Sequence, residues 1–306
     1  MAKIGTAKSS DRALKGGAFA LAAVVALSAA AAGDAAGRRN GLISFWTGSG
    51  TPAVWVMRPD GSSRGLVTRF AQPSKRGSFS PGGRSLVFDG TRTATGPRQD
   101  FDLQLIRIDG SRRRWLTRGP ARDTDASWSP DGRRIIFDRR LDEQSPSIWT
   151  VRPDGTRKRR LGPGSDPSFS PSGRTIAFAR DGDVYSMRAN GSDVRRLRHG
   201  DDDEYPSGWS PDGRRILFTA FSRTAHRATV WTMRADGTRA RRLTRSAYDV
   251  AAAWSPDGKW ILFTRITLSG NSERGTVAVM RADGTHVRTL TRGPADEYAT
   301  SWQAVR

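Results

Sequence analysis

The stretch Trp209-Ser210-Pro211-Asp212-Gly213-Arg214-Arg215-Ile216-Leu217-Phe218 returns in related form along most of the chain. Its other copies span residues 79–88, 128–137, 169–178 and 254–263. A sixth aromatic residue, Trp302, stands where another copy would open. The aromatic residues that open the copies are 40 to 49 residues apart, which is the length of one four-stranded propeller blade. The sequence therefore predicts six repeats of one blade.

The strands of a blade can be read from alternation and turn chemistry. In the fifth repeat, strand A ends at Trp209 and the Ser-Pro-Asp-Gly run forms a tight turn, because proline presets φ and glycine suits the last position. Strand B then covers residues 214–220, with Ile216 and Phe218 on one half-buried face. Strand C covers 229–234 and ends in Asp236-Gly237, a strong hairpin signal. Strand D covers 239–243.

The register of the chain is offset, which predicts how the ring closes. Residues 42–45 match strand B of the repeat, and residues 300–302 match strand A. The last strand would then complete the first blade and remove the open sheet edges. We predict an all-β fold, a six-bladed β-propeller of four-stranded antiparallel blades over residues 37–306. Its blades cover about 41–70 plus 296–306, 73–118, 122–162, 165–198, 203–245 and 249–292.

These motifs resemble a known family. The Trp-Ser-Pro-Asp-Gly run, the Ile-x-Phe strand, the Asp-Gly-Thr turn and a closing Leu-Thr, as at Leu116-Thr117 and Leu243-Thr244, are similar to the TolB-like, WD-repeat-like six-bladed propellers. The resemblance covers residues 40–306 and implies an exported binding propeller. Copies two and four depart from the motif, with Gly82 and Ser172 in the aspartate position.

Residues 1–36 have the pattern of a signal peptide. Four basic residues precede an apolar run at 18–27, and small residues at 29–36 offer cleavage sites. The alternative is an uncleaved membrane anchor, but the apolar run is shorter than the roughly 20 residues of a span. We expect an exported protein, periplasmic, wall-associated or secreted, without stable membrane insertion after cleavage.

The chain contains no cysteine and has a net charge of +21. Disulfides, thiolate metal sites and a cysteine nucleophile are thereby excluded. Arginines cluster at 112–114, 157–160, 195–196 and 239–242, where the outermost strand of a blade begins, and charges there prevent edge-to-edge pairing. The charge would also attract a cell-envelope polyanion. No nucleic-acid motif accompanies it, so a nucleic-acid partner is not predicted.

A candidate ligand site lies on the face formed by the B-to-C and D-to-A loops. Those loops vary in length, with long segments at 89–102 and 267–275, and variable loops on a rigid scaffold often bind ligands. Carboxylates recur five residues before the strand A aromatic in four blades, at Asp123, Glu204, Asp249 and Glu297. They predict an acidic channel mouth for a basic protein or peptide, or for a divalent cation. In the alternative interpretation they cap turns and pair with arginine.

Two tyrosines join this predicted site, because tyrosine is enriched at interfaces. Tyr205 and Tyr298 directly follow two of the carboxylates, and Tyr248 lies nearby. The three histidines, His199, His226 and His286, fall in different parts of different blades and are not expected to converge on a metal. The Gly-x-Ser-x-Gly elbow is absent. We predict a non-catalytic, monomeric binding module without a cofactor; the alternative is a propeller glycosidase or polysaccharide lyase that uses the mouth carboxylates.

Overall fold

The computed structural model describes residues 39–48, 52–69, 73–91, 101–141, 145–245, 248–269, 272–293 and 295–305. The predicted signal peptide at 1–36 lies outside these residues. The described residues form 24 strands in six four-stranded sheets, with antiparallel neighbours throughout. Within this part of the chain, no helix has the length and apolar character needed to span a membrane. The six-bladed, four-stranded propeller predicted from the repeats is confirmed.

Each blade is one sheet whose strands are hydrogen-bonded in the order A, B, C, D. Blade 1 contains β24 (Glu297–Val305), β1 (Arg39–Thr47), β2 (Ala53–Met57) and β3 (Gly65–Arg69). Blade 2 contains β4 (Pro73–Phe79), β5 (Ser85–Thr91), β6 (Phe101–Arg107) and β7 (Arg114–Trp115). Blade 3 contains β8 (Arg122–Trp128), β9 (Ile135–Arg140), β10 (Ser147–Val151) and β11 (Arg159–Pro163).

Blades 4 to 6 follow the same order. Blade 4 contains β12 (Ser165–Phe169), β13 (Thr175–Arg180), β14 (Asp183–Arg188) and β15 (Arg195–Arg198). Blade 5 contains β16 (Asp203–Trp209), β17 (Arg215–Phe221), β18 (Ala228–Arg234) and β19 (Arg241–Arg242). Blade 6 contains β20 (Asp249–Trp254), β21 (Trp260–Ser269), β22 (Ser272–Arg281) and β23 (Arg288–Thr289).

The strand boundaries differ from the predicted ones most clearly in blades 5 and 6. Strand D of blade 5, predicted over 239–243, pairs only at Arg241 and Arg242, because Arg239 adopts a left-handed backbone with φ of 52°. The segment 267–275 was predicted to be a long loop. Instead β21 continues to Ser269 and β22 begins at Ser272, with Thr267 paired to Arg274.

Closure by the C-terminal strand is confirmed. In β24, Trp302 pairs with Ile43 and Ala299 pairs with Phe45 of β1. Gln303 also joins blade 2 to this seam, since its Oε1 accepts from the Leu42 amide at 2.8 Å and its Nε2 donates to the Gly83 carbonyl at 2.7 Å. Blade 1 is therefore built from both ends of the described chain.

The core lies between the blades. Strand B of blade 5 was expected to be half-buried, but Leu217 is as fully buried as its neighbours Ile216 and Phe218. Leu217 packs in the cluster shared with blade 6, whereas Ile216 and Phe218 pack in the cluster shared with blade 4. Both faces of the strand are covered because each sheet has a neighbouring sheet on either side.

The same turn contact joins every pair of neighbouring blades. The glycine of each C-to-D turn has φ between 82° and 90°. A Cβ built on it would lie 2.1 to 3.3 Å from a carbonyl oxygen in the preceding blade. These glycines are Gly61, Gly110, Gly155, Gly191, Gly237 and Gly284. The Asp-Gly motif thus closes a hairpin and also lets adjacent blades approach closely.

Candidate functional site

The antiparallel blades divide the connections between two faces of the ring. We call the face formed by the A-to-B and C-to-D turns the turn face, and the face formed by the B-to-C and D-to-A connections the loop face. Strand A of each blade begins at the loop face. All four predicted mouth carboxylates are the first or second residue of a strand A, so they lie at the loop-face ends of β8, β16, β20 and β24.

These carboxylates are enclosed by protein. Asp123 is 1% exposed, Glu204 2%, Asp249 0% and Glu297 3%. A buried carboxylate is stable as an ion only when a partner and hydrogen bonds compensate for lost water. Each of the four has such a partner, and in every case it is an arginine.

Two of the pairs are cross-strand and bidentate. Arg139 donates from Nε and Nη2 to the two Asp123 oxygens at 2.6 and 2.8 Å. Arg265 contacts Asp249 in the same way at 2.9 and 3.1 Å. In both blades an arginine of strand B is paired across the ladder with the carboxylate of strand A. The identical arrangement in blades 3 and 6 indicates that the pair is a repeated part of the fold.

The other two carboxylates take arginines from different places. Arg198 of blade 4 donates to Glu204 Oε1 of blade 5 at 2.6 Å, and Arg64, just before β3, donates to Glu297. Burial raises the pKa of Glu204 above its ordinary value, although Arg198 opposes the shift. Its second oxygen, Oε2, has no hydrogen-bond partner. Glu204 is therefore the least compensated of the four.

The loop face still presents polar groups beside these pairs. Asp201 is exposed, and Asp202, Asp203 and Asp296 are partly exposed. Asp203 forms an ion pair with Arg223 at 2.8 Å. These neighbouring aspartates place negative charge at the surface of this face, whereas the four recurring carboxylates are buried. Their role in binding a ligand stays a prediction.

The tyrosines predicted for the site belong to a larger aromatic set. Tyr298 stacks on Trp46 with ring centroids 4.2 Å apart. Phe221 has its ring centroid 5.7 Å from that of Tyr205 and 6.1 Å from that of Tyr248. All five side chains are half-buried and lie at loop-face ends of strands in blades 5, 6 and 1. We call Trp46, Tyr205, Phe221, Tyr248 and Tyr298 the aromatic ledge.

Tyr205 is surrounded by charged groups from three blades. Burial raises its pKa, and the charges of Asp203 and of Asp166 in blade 4 add to this effect. Arg140 of blade 3 acts in the opposite direction. Trp46 and Phe221 do not recur at the same repeat position in other blades, so the sequence did not predict them as part of the site. An aromatic residue near the end of strand B is the signal that could have identified them.

Among the residues that the structure describes, no group of three or more histidine, aspartate or glutamate side chains is arranged to hold a metal ion. His199 contacts Asp183 at 3.0 Å in blade 4, and His226 lies next to Tyr248 on the loop face. His286 is in the C-to-D turn of blade 6, beside Thr285. The predicted cation at the channel mouth stays a prediction.

Comparison with known proteins agrees with the motif resemblance. Residues 161–303 match the family model described as the TolB beta propeller domain. The crystal structure of TolB from Acinetobacter baumannii has a TM-score of 0.72 at 18% identity, covering 89% of this chain and 67% of that chain. A structure assigned as TolB from Agrobacterium tumefaciens has a TM-score of 0.63 at 22% identity, covering 87% and 98%. The resemblance to TolB-like propellers is thereby confirmed.

A curated relative matches a shorter region. An uncharacterized protein from Agrobacterium fabrum is 38% identical over 84 residues, which is 26% of this chain and 28% of that protein. The match therefore spans less than a third of the relative's length. The structural likeness, at identities below 25%, shows the fold.

Proposed function

We propose that this chain is an exported, non-catalytic binding module that takes a protein partner on its loop face. The observation that carries this proposal is the aromatic ledge. Its five half-buried rings lie at the strand ends of three consecutive blades. Tyrosine and tryptophan are enriched in protein interfaces because they supply rigid apolar contact area together with a polar group.

The position of the charges supports a basic segment as the partner's contact. Asp201, Asp202 and Asp203 precede or begin strand A of blade 5, next to Tyr205. A Lys- or Arg-rich segment could pair with these carboxylates while its apolar stems pack on the ledge. On a chain with net charge +21, such a local acidic area would also orient the approaching partner.

The buried carboxylates support a non-catalytic role. A glycosidase needs two carboxyl groups that reach the substrate from opposite sides of a bond. Asp123, Asp249 and Glu297 are each nearly inaccessible and neutralised by arginine. Glu204, the fourth of these carboxylates, has a raised pKa, which is the property expected of a general acid.

Site-specific photocrosslinking tests the proposal. A photoreactive phenylalanine analogue at Tyr205 or Tyr248 should capture a protein from an envelope fraction of the source organism. The same analogue at Arg112 or Arg239, which lie on the turn face, is the control. Capture of the same protein with equal yield from both faces would contradict the proposal. Turnover of a glycan panel that disappears in Glu204→Gln would instead favour the enzyme alternative.

A further inference from the structure

The turn face carries a groove between blades 3 and 4 that is lined by arginine. Its cavity is about 300 Å³ in volume. Five arginines of blade 3 line it, namely Arg133, Arg134, Arg152, Arg157 and Arg159. Among the lining residues only Asp131 carries a carboxylate, and Oδ1 of that carboxylate already accepts from Ser129 Oγ at 2.6 Å and from the Arg133 amide at 3.0 Å.

The equivalent groove between blades 5 and 6 has a different charge. Asp212, Arg215, Thr232, Arg241 and Ala282 line it at the positions that Asp131, Arg134, Thr150, Arg159 and Ala189 occupy in the first groove. Two more aspartates from the turns of blade 6, Asp257 and Asp283, complete it. Where both turns of the following blade keep the usual motif, the groove between two blades therefore contains aspartates as well as arginines.

Blade 4 departs from the motif at both of those aspartate positions. Ser172 replaces the aspartate of the A-to-B turn, and Asn190 replaces that of the C-to-D turn. Asn190 borders the groove, because Arg159 Nη2 donates to its carbonyl at 3.3 Å. At the positions that Asp257 and Asp283 occupy in the other groove, blade 4 therefore carries no negative charge.

These replacements preserve the turns. Asn190 Oδ1 accepts from the amide and Oγ of Ser192 at 3.0 and 2.7 Å. Asp154 of blade 3 makes the same two contacts with Thr156 at 2.8 and 2.6 Å. Ser172 keeps a side-chain contact with Ser170 at 3.1 Å. Either aspartate or a neutral residue can therefore form these turns. The replacements in blade 4 change the charge of the groove and leave the turns intact.

Two of the five arginines of this groove have hydrogen-bond partners within the protein, and three are exposed. Arg134 donates to the Ala189 carbonyl at 3.3 Å and lies over the Phe169 ring, and Arg159 is held by Asn190. The remaining three, Arg133, Arg152 and Arg157, are exposed, and none of them is within ion-pair distance of a carboxylate in the described part of the chain. Their guanidinium groups are free to donate to a ligand.

We propose that the groove between blades 3 and 4 is an anion-binding site for phosphate groups, presented by a small phosphate compound or along an anionic polymer of the cell envelope. A guanidinium matches two phosphate oxygens with parallel hydrogen bonds. The concave shape brings several such forks to one place. This site is on the face opposite the aromatic ledge, so it is independent of the protein partner proposed above.

Calorimetric titration of the purified protein with pyrophosphate and with long-chain inorganic polyphosphate tests the site. The triple variant Arg133→Ala, Arg152→Ala, Arg157→Ala should lose affinity by about 100-fold or more, since a charged hydrogen bond contributes about tenfold or more in affinity. The matched control changes Arg214, Arg234 and Arg239 to alanine. These occupy the same positions in blade 5 and remove the same charge, yet we expect a change below about threefold because salt screens distant charges.

A second variant restores the usual motif instead of removing arginine. Ser172→Asp with Asn190→Asp should weaken binding by about tenfold or more, while the melting temperature stays as in the parent protein. Tighter binding of polyphosphate than of pyrophosphate per phosphate group would identify a polymer as the ligand, and equal binding a small compound. Equal losses in both triple variants, undiminished affinity in the aspartate variant, or absence of binding to both probes would overturn the proposal.

Discussion

At the residue scale, the four recurring carboxylates show what a repeat position can and cannot predict. Counting back from the strand A aromatic locates Asp123, Glu204, Asp249 and Glu297, and the abundance of arginine suggests pairing. The partners themselves are not predictable by one rule. Arg139 and Arg265 come from strand B of the same blade, whereas Arg198 comes from the preceding blade. Such contacts depend on how the blades pack, which the local sequence does not contain.

The buried pairs should contribute to stability. In Asp249→Asn, the Arg265 guanidinium, which is 27% exposed, would lose its counterion. We expect a loss of about 1 to 3 kcal/mol in the free energy of unfolding, less than for a fully buried charge because water reaches the arginine. The control is Asp203→Asn, because Asp203 is 40% exposed and its partner Arg223 is 45% exposed, and such a pair should contribute no more than about 1 kcal/mol. Urea denaturation measures both, and equal losses would show that burial of the Asp249 pair has no special effect.

At the scale of the strand and turn, each recurring motif has a local hydrogen-bonding role. In the Ser-Pro-Asp-Gly turn, Ser210 Oγ accepts from the Arg215 amide at 2.9 Å and donates to Asp212. In the Leu-Thr motif, Thr244 Oγ1 accepts from the Val230 amide at 3.1 Å. Both contacts join residues of one blade, 5 and 14 positions apart, so the motifs predict the hairpins well. The contact that each turn makes with the preceding blade is long-range and was not predicted.

Glycine in the C-to-D turns has two effects on stability that can be measured separately. It permits a close contact with the preceding blade, and it adopts a left-handed backbone at little cost. In Gly237→Ala, the new Cβ would meet the Leu197 carbonyl oxygen at 2.1 Å, and φ is 88°. In the control Gly213→Ala, φ is also positive, at 72°, but the nearest atom is Pro171 Cδ at an ordinary 3.7 Å. The control should lose about 1 to 2 kcal/mol from the backbone alone. Gly237→Ala should lose clearly more in the same denaturation experiment. Equal losses would mean that the close approach of this turn to the preceding blade does not contribute to stability.

At the scale of the whole molecule, the net charge of +21 is arranged by the repeat. The arginine clusters are predicted to lie on the outer strands, and β7, β11, β15 and β19 do begin with arginine. A second set lies on the turn face and was missed, because its members are single residues in successive turns. An arginine ends strand C or directly follows it in all six blades, at Arg58, Arg107, Arg152, Arg188, Arg234 and Arg281. These arginines place positive charge on the turn face around the whole ring. Because Ser172 and Asn190 replace two aspartates in blade 4, less of this charge is offset there.

Closure of the ring should control whether the molecule folds as one unit. Deleting residues 296–306 removes β24, and with it the strand that pairs with β1 and the largely buried Trp302. A buried tryptophan alone accounts for about 3 to 5 kcal/mol, a large part of a typical total stability of about 5 to 15 kcal/mol. Without β24, β1 would also expose an unpaired edge that favours aggregation.

The truncated protein should therefore lose its cooperative thermal transition and aggregate. A synthetic peptide of residues 296–306, added during refolding, should restore the transition in proportion to its concentration, because it can add to the open edge as a strand. A peptide in which Trp302 and Gln303 are replaced by alanine is the control, since it lacks the side chains that pack on blade 6 and join blade 2. Calorimetry with each peptide measures the difference. An unchanged melting temperature in the truncated protein, or equal rescue by both peptides, would mean that these side chains do not hold the ring closed.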